Sequence, residues 1–141
     1  MNFNIKETPW VILDDITCDE FILEMLKHGK PTETSLVGAF EDVGRGSLRD
    51  VDLPMHKDGD YSRRAAEKNG KEFSKIADIV GLYCIREGTT STQIQVDGEN
   101  EVSSVVLKKG QALIFDNNKC LHGRKGPVGD RVLLRIWIDS F

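Results

Sequence analysis

Hydrophobic residues follow two different periodicities along this chain. Near the amino terminus, apolar residues recur at helical spacing: Phe21, Ile22, Met25 and Leu26. Thr17 and Glu20 form a Thr-x-x-Glu capping box before this stretch, and Gly29 follows it as a terminator. The pattern predicts a short strand at residues 10–13, then a helix from about Thr17 to His28.

From about residue 34 the hydrophobic pattern changes to short apolar or alternating segments separated by Gly, Asn and Asp. Eight such segments follow one another: SLVGAF, VDLPMH, IVGLYCI, TQIQVD, VSSVVL, QALIFD, KCLHG and RVLLRIWI. Their number and spacing predict an antiparallel β-barrel or sandwich, with the amino-terminal helix buttressing one sheet. Residues 62–78 are the exception, because their Ala- and Lys-rich pattern predicts a helix broken around Asn69 and Gly70.

Length and charge narrow the class of protein. A chain of 141 residues is expected to form one domain, spanning residues 1–141. The net charge of −4 argues against a nucleic-acid or anionic-membrane surface, since both require a basic face. No apolar run approaches the roughly 20 residues that cross a bilayer, and the first residues lack a secretion signal. A cytoplasmic protein is therefore expected.

Several chemically notable residues are interpreted as structural. Cys18, Cys84 and Cys120 are odd in number and lack metal-finger spacing, so they are expected to be reduced structural thiols. Trp10 and Trp137 are interpreted as core residues. The Asn117–Asn118 pair is first of all a turn before a strand.

The stretch LPMHKDGDYS places His56 and Asp58 two residues apart, and in an extended chain both point to the same face. Two such groups and one more histidine form the facial triad that leaves open positions on Fe(II). Of the three histidines in the chain, His28 ends the predicted helix, where a helix-dipole or solvent-facing role is expected. His122 is then the candidate third ligand.

The region after His122 carries an unusual charge pattern. A glycine-bounded turn at residues 126–129 predicts a hairpin in which Arg124 faces Arg131 and His122 faces Leu133. Like charges directly opposed in a sheet are unfavourable, so an anion is expected nearby. Alternation also places Arg131 and Arg135 on one face, while the other face is apolar: Val132, Leu134, Ile136 and Ile138. A dicarboxylic acid would be a suitable partner for these buried guanidinium groups.

At these residues the chain resembles the Fe(II)/2-oxoglutarate-dependent dioxygenases of the taurine dioxygenase (TauD-like) and clavaminate synthase type. The segments that match in order, over about residues 50–141, are MHKDGDYS, GLYCIREG, LKKGQALIFDN, LHGR and GDRVLLRIWI. The resemblance implies a mainly β fold, a double-stranded β-helix (jelly-roll, cupin-like) barrel. It also implies that His56, Asp58 and His122 are the catalytic residues and hold Fe(II).

The same resemblance implies roles for the residues around the metal. The far carboxylate of the cosubstrate 2-oxoglutarate would pair with Arg131, or with Arg135, and with a hydroxyl. Thr92 is the best candidate for that hydroxyl, with Thr90 and Thr89 behind it. The remaining arginine, together with Arg124, would bind an acidic group of the substrate or the 1-carboxylate of the cosubstrate. Independently of the resemblance, Tyr61 lies three residues beyond Asp58 and is a candidate to line the substrate pocket.

The resemblance further implies a hydroxylase that uses O2 and releases succinate and CO2. Its substrate would be a small amino-acid-like or acidic metabolite. Retention of Asp58 favours hydroxylation over halogenation, because halogenating relatives lack that ligand. Two alternatives stay open: a cupin-like metalloenzyme without 2-oxoglutarate, which the paired arginines disfavour, and a non-catalytic small-acid-binding barrel, which the intact triad disfavours.

The chain departs from this family between the fourth and fifth core strands. Relatives carry long insertions there that help to cover the substrate, whereas only residues 97–101 separate TQIQVD from VSSVVL. Residues 59–78 are the candidate lid, with a solvated outer helix as the alternative. An open pocket would suit a large or carrier-bound substrate, or a homodimer whose partner completes the wall.

Overall fold

The computed structural model describes residues 3–38, 52–59, 77–126 and 129–141. Its elements in chain order are β1 (Trp10–Leu13), α1 (Cys18–Leu26), β2 (Gly29–Gly38), β3 (Leu53–His56), β4 (Ile79–Arg86), β5 (Ser91–Val96), β6 (Ser103–Val105), β7 (Ala112–Asp116), β8 (Cys120–Lys125) and β9 (Val132–Ser140). The part of the broken helix predicted at residues 62–76 lies outside the described residues. Within them, no helix has the length and apolar character needed to cross a bilayer.

The strands form two antiparallel sheets. One has five strands in the order β1-β7-β4-β9-β2, and the other has four in the order β3-β8-β5-β6. From β2 onward, the chain therefore crosses from one sheet to the other at every connection except the one between β5 and β6. This confirms a mainly β, antiparallel fold and is consistent with a jelly roll.

Helix α1 lies on the outer face of the five-stranded sheet. Its capping box is formed as expected: Glu20 N donates to Thr17 Oγ1 at 3.1 Å, and Thr17 N donates to Glu20 Oε1 at 3.0 Å. Phe21 and Met25 are fully buried beneath it. A Cβ at Gly81 of β4 would approach the Met25 sulfur to 2.5 Å, so this glycine lets the helix pack closely on the sheet.

Strand β9 is buried on both faces, as its sequence predicts. Leu134, Ile136 and Ile138 belong to the cluster beneath the helix, whereas Leu133 and the partly buried Trp137 belong to the cluster between the sheets. Alternation thus assigns one side of the strand to the outer core and the other to the inter-sheet space.

The predicted hairpin between β8 and β9 is wrong. Strand β8 pairs with β3 and β5, while β9 pairs with β2 and β4 in the other sheet. Arg124 therefore lies opposite Leu53 and Thr92 instead of Arg131. Gly126 directly follows β8 and Gly129 lies shortly before β9, but the connection passes from one sheet to the other.

Candidate active site

The three residues of the expected triad converge between the sheets. His56 ends β3 and lies directly opposite His122 of β8, with 4.3 Å between the ring centroids. The chain then turns so that Asp58 Oδ1 lies 3.0 Å from His122 Nε2 and 3.4 Å from His56 Nε2. Each of the three residues offers a ligand atom within 4.8 Å of the other two.

This arrangement fits one metal ion. Two donors that bind an ion at about 2.1 Å in adjacent coordination positions lie about 3 Å apart, close to both histidine–carboxylate distances. His56 Nδ1 lies 2.8 Å from the Pro54 carbonyl oxygen, which assigns the proton to Nδ1 and leaves the Nε2 lone pair for a metal. Two imidazoles and one carboxylate are the donor set of mononuclear non-haem Fe(II) sites.

The electrostatics of Asp58 favour the form that binds metal. Burial of its side chain opposes ionisation, but the close contacts of Oδ1 with His122 and His56, and attraction to Arg135, outweigh burial. The pKa of Asp58 is consequently held well below its usual range. Asp58 is therefore a carboxylate at neutral pH, as a metal ligand must be.

Two residues that sequence reasoning interpreted as structural hold Asp58 in place. Trp137 Nε1 donates to Asp58 Oδ2 at 2.9 Å, which leaves Oδ1 directed toward the histidines. Strand alternation puts Trp137 on the same face as Arg131 and Arg135, and this is the signal in the sequence that could have revealed the contact. Interpreting Trp137 only as a core residue therefore missed its hydrogen bond to Asp58.

Asn117 is the second such residue, and it is completely buried. Its side chain accepts a hydrogen bond from Asp58 N at 3.0 Å and donates to Asp58 O at 3.0 Å and to Ala77 O at 2.8 Å. These bonds fix the backbone of Asp58 against the end of β7. The Asp-Asn-Asn sequence is typical of a turn, so sequence reasoning missed these long-range hydrogen bonds of Asn117.

A cationic region lies farther along the inter-sheet space. Arg131 Nη1 donates to Thr92 Oγ1 at 2.9 Å, and both side chains are buried. Thr92 lies on β5 directly opposite Arg124 of β8, two residues from His122. Two residues of strand span roughly 6.6 Å, so a small diacid could extend from the triad to this region.

The two candidate cosubstrate arginines occupy different places. Arg135 Nη2 lies 3.0 Å from Glu33 Oε1, and its guanidinium is 5.0 Å from the Trp137 ring centroid. It therefore lies beside the Asp58 end, whereas Arg131 contacts Thr92. Of the other candidates, Thr90 is buried before β5 and Thr89 is exposed. Tyr61, and the candidate lid at residues 60–76, lie outside the described residues.

The expected short connection between β5 and β6 is present. Strand β5 ends at Val96 and β6 begins at Ser103. Asp97 in this connection forms a 3.0 Å ion pair with Lys57, the residue between His56 and Asp58. The connection is thus tied to the segment that carries His56 and Asp58.

Comparison with known proteins gives one kind of match. No protein-family model matches the chain, and no curated protein matches it. Among solved structures it is similar to the crystal structure of a Pseudomonas putida prolyl-4-hydroxylase, with a TM-score of 0.52 and 9% sequence identity. The match covers 94% of this chain and 93% of that chain. At this identity the likeness shows a shared fold, and the taurine dioxygenase type is not singled out by it.

Proposed function

We propose that this chain is an Fe(II)- and 2-oxoglutarate-dependent oxygenase that hydroxylates a small amino-acid-like or acidic metabolite. The observation that carries the proposal is the convergence of His56, Asp58 and His122 between two sheets, with ligand atoms within 4.8 Å of one another. The fold shared with a hydroxylase supports it. A closed double-stranded β-helix of the taurine dioxygenase type is the finer form of the same proposal.

In this proposal His56, Asp58 and His122 hold the metal on one side. Bound Fe(II) would supply the activation of O2 that is coupled to oxidation of 2-oxoglutarate to succinate and CO2. The protein orients the reactants: Trp137 and Asn117 fix the carboxylate ligand, and Phe115, with its ring 4.7 Å from that of His122, shields the histidine.

We assign the far carboxylate of 2-oxoglutarate to Arg131 and Thr92. Arg131 is buried and already orients its guanidinium toward a hydroxyl, so it can bind one carboxylate with little further ordering. Arg135 instead contacts Glu33 beside the triad. Arg124, opposite Thr92, is close enough in register to add positive charge to the cosubstrate region.

The test is anaerobic addition of Fe(II) and 2-oxoglutarate, followed by visible spectroscopy. We expect the weak charge-transfer band of a chelated 2-keto acid. Pyruvate, which lacks the far carboxylate, should require a much higher concentration to give a comparable band. Absence of the band in folded, iron-loaded protein would reject the cosubstrate and favour a cupin-like metalloenzyme.

Two variants complete this test. His122→Ala should lose both iron binding and the band, whereas His28→Gln should retain both because His28 contacts Glu24 on the helix side of the molecule. A wild-type chain that binds no iron would instead favour a non-catalytic barrel. Succinate release should accompany O2 consumption, and metabolites that raise this release above the uncoupled background identify the substrate.

A further inference from the structure

A second polar cluster adjoins the candidate metal centre, on the edge strand β2. Ser35 lies directly opposite Arg135 in the β2–β9 ladder, and Glu33 lies opposite Trp137. Residues directly opposed in an antiparallel sheet project to the same face. Trp137 contacts Asp58, so Glu33, Ser35 and Arg135 share the inter-sheet face beside the triad.

Two hydrogen-bonding atoms in this cluster are buried and unsatisfied. Among the described residues, neither Ser35 Oγ nor Arg135 Nε has a hydrogen-bond partner. Burying such groups without partners is unfavourable, so a ligand that accepts both hydrogen bonds would remove a cost that the ligand-free chain bears. A hydroxyl and a guanidinium N–H together are suited to an acceptor such as a carboxylate.

The charges of the cluster restrict the class of ligand that can carry this carboxylate. Glu33 and Arg135 are 3.0 Å apart, and their side chains are 39% and 24% exposed, so their charges cancel at the accessible side of the cluster. A simple acid would bind Arg135 but meet repulsion from Glu33. A simple amine would bind Glu33 but meet repulsion from Arg135. A ligand with adjacent positive and negative groups can pair with both residues at once.

We propose that Glu33, Ser35 and Arg135 form a substrate subsite for a zwitterionic α-amino acid. This rests on the proposed function, and it chooses the amino-acid-like class over the purely acidic one. The ligand carboxylate accepts hydrogen bonds from Arg135 Nε and Ser35 Oγ, and its ammonium group pairs with Glu33. Ser35 Oγ and Arg135 Nε are shielded from solvent in the ligand-free chain. The partly exposed Glu33–Arg135 ion pair must therefore rearrange so that the ligand can reach them.

The test measures binding to the metal-free chain, so that it does not depend on iron or turnover. With Trp10→Phe, Trp137 becomes the sole tryptophan, and its fluorescence reports on ligands near Arg135. The probes are the twenty protein L-amino acids, followed by the matched carboxylic acid and matched amine of each one that binds. Calorimetry on the unaltered chain provides the same comparison if Trp10→Phe folds poorly.

We expect at least one amino acid to bind saturably, with its matched acid and amine each about tenfold weaker or more. Glu33→Gln should remove the penalty against the acid, which reverses the preference, and a merely structural effect would not do this. Ser35→Ala should weaken amino-acid binding severalfold. Thr34→Ala, on the exposed face of the same strand, should change nothing.

Three results would overturn the inference. These are saturable binding of no amino acid, an acid that binds as tightly as its amino acid to the unaltered chain, and an unchanged preference in Glu33→Gln. None of them bears on the charge-transfer band, which tests iron and 2-oxoglutarate separately. Absence of the band with retained amino-acid binding would reject the use of 2-oxoglutarate and leave Glu33, Ser35 and Arg135 as an amino-acid-binding site.

Discussion

The two ends of the candidate site are built in different ways. At the candidate metal end, His56 and Asp58 are held by further contacts: Pro54 O fixes the His56 tautomer, Trp137 binds the second oxygen of Asp58, and Asn117 holds its backbone. At the cationic end, Arg131 extends from one sheet to Thr92 in the other. The first end is organised around geometry and the second around charge.

This difference matches two chemical requirements of the proposed function. A metal site functions only when its donors keep fixed distances and angles, and supporting contacts maintain them. A carboxylate-binding arginine gains most of its affinity from charge-assisted hydrogen bonds, which tolerate small displacements. The two ends should therefore respond differently to substitution.

The largest effect is expected at the metal end. Asp58→Ala should weaken Fe(II) or Co(II) binding by more than about 100-fold, because loss of a ligand exceeds loss of a supporting contact. Arg131→Gln should leave metal affinity within about twofold of the original, since distant sites act independently. Anaerobic calorimetry measures both. Comparable losses of metal affinity in the two variants would show that the ends are not separate.

Removing the Asn117 clamp should have the next largest effect. Asn117→Ala leaves the Asp58 N–H and two buried carbonyls without their partner, so the free energy of unfolding should fall by about 2–4 kcal/mol. The exposed neighbour is the matched control: Asn118→Ala should cost less than about 1 kcal/mol. Chemical denaturation of the metal-free chain measures both. An equal loss would mean that Asn117 is only a turn residue.

The sequence predicted the grouping of His56, Asp58 and His122 better than the contacts that support it. His56-x-Asp58 is a local pattern, and with so few histidines His122 was the natural third ligand. The role of Asn117 depends on a residue 59 positions away, and no local spacing encodes that contact. Its immediate surroundings favour a turn, and Asp116 does accept the backbone N–H of Asn118 as turn residues do.

Strand pairing shows the same limit. Alternation along β9 gave the correct faces, because it depends on the strand alone. Whether β9 pairs with β8 depends on which other strands compete for its edges, and β2 and β4 fill both of them. A glycine-bounded turn indicates where a strand ends, but it is compatible with a hairpin and with a crossing between sheets.

The cationic end should respond through the cosubstrate. Arg131→Gln removes a charge-assisted hydrogen-bond donor, worth about 1.5–3 kcal/mol, so 2-oxoglutarate binding should weaken by about 10- to 150-fold. Thr92→Val should have a smaller effect because only a neutral hydroxyl is lost. Titration of the charge-transfer band measures both. Unchanged 2-oxoglutarate affinity in Arg131→Gln would transfer the role to another cation, with Arg124 or Arg135 as the next variant.

The smallest effect is expected where a supporting contact is removed while packing is kept. Trp137→Phe retains an aromatic ring beneath Arg135 but loses the N–H that binds Asp58 Oδ2. With Oδ2 released, the carboxylate can rotate away from the histidines, and metal affinity should fall by about 2- to 10-fold. Trp10→Phe is the matched control, because Trp10 packs against the same cluster without a hydrogen bond to Asp58. Because both variants lose a similar apolar area, a deficit in metal affinity confined to Trp137→Phe would separate carboxylate positioning from packing. Equal affinities would return Trp137 to the purely core role that its sequence suggested.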